Sequence, residues 1–209
     1  MKIKVGFDID AVFANFVKTF TSFANKEKGT PIINHSTERK SWFLKHEYPL
    51  SEEELKELWE KFLEIENVYE EFELEDEEDF KAFLDFVKKH NTKVEVFFIT
   101  ARRDTKKGKN VVEQTKDWFK KHGYDNANVH IAFEKGSKAK ELELDYFIDD
   151  KHTHIEEVLK ACKKTKAYLL NKPYNEEFEL PRVFSLKEFL RNIENDILLK
   201  ELKRKYFKE

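Results

Sequence analysis

Asp8 and Asp10 stand two residues apart in Val5-Gly6-Phe7-Asp8-Ile9-Asp10-Ala11-Val12. Two carboxylates this close repel each other unless a cation lies between them or one takes up a proton. A second acidic pair, Asp149-Asp150, ends the apolar run Tyr146-Phe147-Ile148. Brought together, the four acids make a hard-oxygen cluster suited to Mg2+, which takes one or two carboxylates along with waters and phosphate oxygens. A third run, Val94-Glu95-Val96-Phe97-Phe98-Ile99, leads into Thr100-Ala101-Arg102-Arg103. A hydroxyl, free backbone N–H groups and a guanidinium fork are what a phosphate group requires. The chemistry these residue types suggest is metal-assisted phosphoryl transfer.

Each of these groups follows a short apolar segment that reads as a buried strand, beginning with Lys2 to Phe7. The carboxyl ends of strands are where open α/β sheets hold ligands. Asp8 and Asp10 would share one face if the chain stayed extended there. The rest of the chain alternates in the same manner: a helix with Val111, Val112, Trp118 and Phe119 that stops at Gly123, a strand at Val129 to Ala132, a helix at Ile155 to Cys162, a strand at Ala167 to Leu170, and a last helix opened by the capping box Ser185-Leu186-Lys187-Glu188. This pattern predicts an α/β fold with a doubly wound parallel sheet. The gap between Asp10 and Thr100 is nearly twice that between Thr100 and Asp149, so it must hold an insertion. The insertion reads as helical, with one helix from Phe13 to Ala24, one opened by the capping box Ser51-Glu52-Glu53-Glu54 and carrying Leu55, Leu58, Trp59, Phe62 and Leu63, and one marked by Phe80, Phe83, Leu84 and Val87.

On these motifs the chain resembles the haloacid dehalogenase-like (HAD) superfamily of aspartate-dependent phosphohydrolases. The resemblance implies a Rossmann-like core over 1–12 and 90–209 with a small helical cap over 13–89, inserted after the first strand. It implies that Asp8 is the nucleophile and forms an aspartyl-phosphate, and that Asp10 protonates the leaving oxygen and then activates water. Thr100 and a lysine would hold the phosphoryl oxygens. Mg2+ would be held by Asp8, Asp149 and Asp150, with Asp10 contributing its backbone carbonyl. Lys135, Lys138 and Lys140 are the candidate lysines; Lys135 is favoured because Gly136-Ser137 would start the next helix and leave it beside the strand ends.

The resemblance narrows to the 5'(3')-deoxyribonucleotidase branch through Asp10-Ala11-Val12-Phe13-Ala14-Asn15-Phe16, Arg39-Lys40-Ser41-Trp42-Phe43, Ile148-Asp149-Asp150-Lys151 and Asn171-Lys172-Pro173-Tyr174-Asn175. By motif position Phe16, Trp42 and Phe43 match the aromatic residues that enclose the nucleobase, and Ala101 and Arg102 lie where the substrate phosphate binds. The implied partner is a small phosphomonoester, a nucleotide. Ala11 replaces the usual glycine, which a tight turn accepts if φ stays negative. Arg102-Arg103 with Lys106, Lys107 and Lys109 is more basic than a mononucleotide needs, so a 3'-phosphatase acting on polynucleotide ends is the competing reading. A non-catalytic binding protein of the same fold is a second alternative. His152 and His154 follow the acids, but an all-oxygen Mg2+ site accounts for those acids without them.

Composition agrees with this reading. The chain has 209 residues, a net charge of -3 and a pI near 6.2, with no global attraction to nucleic acid or anionic membrane. No apolar run is long enough for a membrane span, and the amino terminus lacks a signal-peptide pattern. The single cysteine, Cys162, fits a reducing cytoplasm and a buried helix position. Exposed apolar cap residues would serve a homodimer as readily as a substrate.

Overall fold

The structure is a computed structural model and describes residues 2–29 and 50–207. Six parallel strands form one sheet: β1 (Ile3–Phe7), β2 (Val94–Thr100), β3 (Val129–Ile131), β4 (Tyr146–Asp149), β5 (Lys166–Leu170) and β6 (Arg182–Val183), in the order β3-β2-β1-β4-β5-β6. The order reverses at β1, whose carboxyl end lies between those of β2 and β4. Asp8, Thr100 and Asp149 are therefore neighbours at the topological switch point, where such sheets open a crevice. This is the doubly wound parallel sheet read from the sequence, extended by the short edge strand β6 after the 3-10 turn Pro173–Asn175.

Helices cover both faces. On one face, Phe7 of β1 meets Phe83 of α3 (Glu77–His90) at 5.5 Å and Phe189 of α7 (Leu186–Phe207) at 5.6 Å, while Phe98 of β2 meets Phe119 of α4 (Val111–Lys121) at 4.0 Å. On the other face, α5 (Lys135–Leu142) and α6 (His152–Ala161) bury Ala139, Ile155 and Val158 against Phe97, Ile99 and Phe147. Rings buried on all sides in this way cost about 3–5 kcal/mol each when cut to alanine, so the strand ends sit on a stiff base. Helix α3 lies against the sheet itself. The earlier part of the insertion, α1 (Phe16–Lys28) and α2 (Glu52–Phe62), packs through Phe20, Phe23 and Phe62.

Helix ends follow local chemistry. Ser51 and Glu54 close the expected capping box at α2, and Asn110 with Glu113 does the same at α4. Gly123 takes φ +89° just past α4, as read from the sequence. Two expectations need correction. The first helix starts at Phe16 rather than Phe13, because the amides of Val12, Phe13 and Ala14 all turn back to the Ile9 carbonyl and Asn15 caps the helix through the Lys18 amide. At α7, Ser185 accepts from the Glu188 amide as expected, but the Glu188 carboxylate reaches Phe184 instead of closing the box on Ser185. The amides of Leu186 and Lys187 are taken by Asp79, which locks the starts of α3 and α7 together.

Candidate active site

Asp8 is the first residue beyond β1, and its amide donates to Ile148 of β4 at 2.9 Å. Asp8, Asp149 and Asp150 each bring a carboxylate oxygen to within 4.8 Å of the others, and all three are buried. Among them stands Lys135, the first residue of α5, with no exposed surface. Its ammonium donates to Asp8, to Asp149 at 2.9 Å and to the Ile99 carbonyl at 2.8 Å, so its three protons are all engaged. Helix α6 sets the height at which this lysine enters. The Glu157 carboxylate accepts the Lys135 amide at 3.0 Å, and a Cβ on Gly136 would lie 2.6 Å from the Glu157 carbonyl oxygen. Lys138 pairs instead with Glu141 at 2.6 Å, and Lys140 is exposed, so Lys135 is the lysine that reaches the acids.

Each acid is held separately. Asp149 accepts from the Lys151 amide at 2.8 Å and lies 2.9 Å from His154 Nδ1. Asp150 accepts from the Tyr174 hydroxyl at 2.5 Å, and its carbonyl accepts from Asn175 at 2.8 Å. Burial pushes the Asp8 carboxyl well above the ordinary carboxylate range; Lys135 offsets this in part, while Asp149, Asp150 and Asp10 add to it. Burial would raise Asp149 too, but Lys135, His154 and the Lys151 amide together hold it below that range. Burial alone would lower the Lys135 ammonium, and Asp149 and Asp8 reverse the shift. Three buried carboxylates around one ammonium leave an excess of negative charge. A divalent cation with a preference for oxygen donors fits that deficit, and Asp8, Asp149 and Asp150 are the residues that would hold it.

Asp10 is placed differently. Its two oxygens accept from Arg102 Nε at 2.9 Å and Nη2 at 2.7 Å, in a bidentate pair. Arg102 also donates to Thr115 at 3.2 Å, and its guanidinium lies 4.8 Å from the ring of Tyr69 and 5.0 Å from that of Phe72. Tyr69 in turn donates to the Arg103 carbonyl at 2.8 Å. Burial would lower the Arg102 pKa, and Asp10 outweighs this, so the guanidinium stays charged. The turn that separates Asp10 from Asp8 carries Ala11 at φ +62°, not the negative φ expected. Three amides converging on the Ile9 carbonyl fix that turn, so Ala11 bears the left-handed conformation despite its Cβ.

Two groups thus stand at the strand ends: Asp8 and Asp149 joined through Lys135, with the Asp150 carboxylate close by, and Asp10 paired with Arg102. Thr100 ends β2 fully buried, its hydroxyl accepting the Arg102 amide at 3.2 Å, and Ala101 beside it is half-buried. Arg102, expected to face a phosphate, gives its fork to Asp10 in this arrangement. Phe16 lies half-buried among Phe20 at 5.4 Å, Trp59 at 5.6 Å and Phe72 at 6.1 Å. Trp42 and Phe43 lie outside the described residues. His152 stacks on Phe178 at 3.5 Å, while His154 supports Asp149. Sequence reasoning missed the supporting roles of Tyr174, Asn175, Tyr69 and Phe72. Tyr174 and Asn175 fall in a segment already noted as family-like; Tyr69 and Phe72 carried no signal.

Residues 1–198 match the family model described as 5' nucleotidase, deoxy (pyrimidine), cytosolic type C protein. The chain belongs to this 5' nucleotidase family. Its members have the HAD-like fold, and the chain is accordingly a phosphoric monoester hydrolase, a HAD phosphohydrolase. Solved structures agree on the fold. A HAD-superfamily hydrolase of subfamily IA from Geobacter sulfurreducens superposes with a TM-score of 0.58 at 15% identity, over 92% of this chain and 96% of that one. A haloacid dehalogenase-like hydrolase from Streptococcus pneumoniae gives 0.57 at 12% identity, over 92% and 98%. No curated protein matches the chain. Among the described residues no helix is long and apolar enough to cross a membrane.

Proposed function

We propose that the chain is a Mg2+-dependent 5'(3')-nucleotidase that dephosphorylates deoxyribonucleoside and ribonucleoside monophosphates through an aspartyl-phosphate. The observation that carries this is the buried cluster of Asp8, Lys135, Asp149 and Asp150, with Asp10 a turn away. An Asp8 oxygen attacks phosphorus, and the ester P–O bond breaks as Asp10 gives a proton to the departing oxygen. Water then attacks the phosphorus, gives a proton to Asp10, and returns Asp8 as a carboxylate with release of phosphate. Bound Mg2+ would supply charge neutralisation between an anionic nucleophile and an anionic substrate. Lys135 and the Thr100 hydroxyl would hold the phosphoryl oxygens, and Ala101 would offer its backbone N–H.

The cap in this reading is the insertion over 13–89, with Phe16, Trp42 and Phe43 stacking on the base. Three of the five basic side chains after Thr100 have acidic partners: Arg102 with Asp10, Lys106 with Glu60 and Glu64, and Lys109 with Glu70 and Asp117. That pairing favours a mononucleotide over a polynucleotide end. A reducing cytoplasm suits the single, half-buried Cys162.

The test is phosphate release from nucleoside monophosphates, sugar phosphates and 3'-phosphorylated oligonucleotides, with Mg2+ and after chelation. We expect nucleotides to lead, activity to need Mg2+, and Asp8→Asn to abolish it. Equal release by wild type and Asp8→Asn on every substrate would remove the enzyme mechanism, and equal rates on sugar phosphates and nucleotides would remove the nucleotide preference.

A further inference from the structure

Asp10 and Arg102 form a pair whose two members differ in freedom. The Arg102 side chain is 2% exposed and is held from four directions, by Asp10, Thr115, Tyr69 and Phe72. The Asp10 side chain is 30% exposed, and among the described residues its side-chain partner is that guanidinium. When a fixed planar fork meets a carboxylate that can rotate, the fork decides where the carboxylate points. A carboxylate has about four lone-pair sites, and two N–H donors leave one free on each oxygen for proton exchange with a leaving group or water. Two of the groups that fix the fork, Tyr69 and Phe72, come from the insertion between β1 and β2, and the third, Thr115, comes from α4.

We infer that Arg102 is a positioning residue for proton transfer: it sets the orientation of Asp10 by a two-point pair, and the clamp of Tyr69, Phe72 and Thr115 makes that orientation depend on the insertion and α4. The inference rests on the proposed phosphatase chemistry and assigns Arg102 a task other than phosphate binding. During the first step the phosphorus–oxygen ester bond breaks, the electron pair stays on the leaving oxygen, and Asp10, entering the step in its protonated form, gives up that proton to neutralise it; the attacking water of the second step returns a proton to Asp10. The demand for correct placement therefore grows as the leaving group becomes poorer. A deoxyribonucleoside alkoxide needs the proton, and p-nitrophenolate departs nearly as well without it.

The readout is kcat/KM, which reports steps up to ester cleavage, measured across aryl phosphates of graded leaving ability and a deoxyribonucleoside 5'-monophosphate. Lysine keeps the charge at residue 102 but offers no fork. Arg102→Lys should lower kcat/KM by about 100-fold on the nucleotide and by less than about fivefold on p-nitrophenyl phosphate, the range that positioned general acids contribute. In an Asp10→Asn background the same change should cost less than about threefold, because both substitutions remove one function. Thr115→Val removes one anchor of the fork without touching substrate, and should show the same leaving-group dependence in weaker form even where Arg102 variants fold poorly. Equal losses on all leaving groups, or full additivity with Asp10→Asn, would overturn the positioning role while leaving the phosphatase intact. A wild type inactive on every substrate, or matched by Asp8→Asn, would instead take the phosphatase reading down, and this inference with it.

Discussion

Asp8 and Asp10 share one turn of chain and almost none of their surroundings. Asp8 is closed in by groups from the sheet and the helices on its far face, Lys135 of α5 with Asp149 at the end of β4 and Asp150 just beyond it. Asp10 faces Arg102, which is clamped by the insertion and α4. The first neighbourhood is buried and carries surplus negative charge; the second is a matched ion pair that opens partly to water. A change in the sheet therefore reaches the chemistry through Asp8, and a change in the insertion reaches it through Asp10.

The sharpest way to break this contrast is to remove the cation from each side. Lys135→Met leaves Asp8 and Asp149 buried without their common partner and should cost about 3–5 kcal/mol in denaturant unfolding, with phosphatase activity lost. Arg102→Met keeps most of the packing, and water can reach Asp10, so about 1–3 kcal/mol is expected. Equal costs would mean that the two acids are not differently housed.

Phe16→Leu tests the insertion side alone. It should raise KM for a deoxyribonucleoside monophosphate by about fivefold or more, as loss of a base-stacking face does, and leave p-nitrophenyl phosphate unchanged. A parallel change on both substrates would reassign Phe16 to packing with Phe20 and Trp59.

Asp8→Asn should raise the melting temperature of metal-free protein by about 2–4 °C near neutral pH. The sign follows from the raised pKa. The unfolded chain ionises this carboxyl near 3.8, the folded chain only at higher pH, so ionisation favours unfolding and its cost grows above that value. The gain should therefore shrink toward about pH 4, and added Mg2+ should stabilise wild type more than the variant. A variant that melts below wild type at neutral pH in the absence of metal would contradict the charge surplus. The smallest effect is expected from Lys106→Gln with Lys109→Gln, whose exposed ion pairs should leave both the melting temperature and the kcat/KM for mononucleotides unchanged. A loss confined to 3'-phosphorylated oligonucleotides would redirect the reading to polynucleotide ends.

The Asp8 side was largely legible in the sequence and the Asp10 side was not. Strand ends, acids and the preference for Lys135 over its neighbours follow from local patterns, because a buried strand followed by carboxylates has few other solutions. Arg102 was noticed for its fork but not for its pairing with Asp10: a guanidinium fits a carboxylate and a phosphate equally well, and only the fold brings Asp10 to it. Tyr69 and Phe72 occupy a short stretch with no helical or strand period, so nothing local ties them to the site. Ala11 shows the same limit, since its φ is imposed by three amides that converge on one carbonyl.

Helix α6 is a fixture common to two parts of the site. Its Glu157 meets α5 twice, at the Lys135 amide and against Gly136, and its His154 braces Asp149. The buried ammonium and one of the carboxylates it serves are thus braced from behind by the same helix. The missing methyl at Gly136 is what lets the mounting close, and a side chain there would act like a shim, changing the alignment of the site from the back of the sheet.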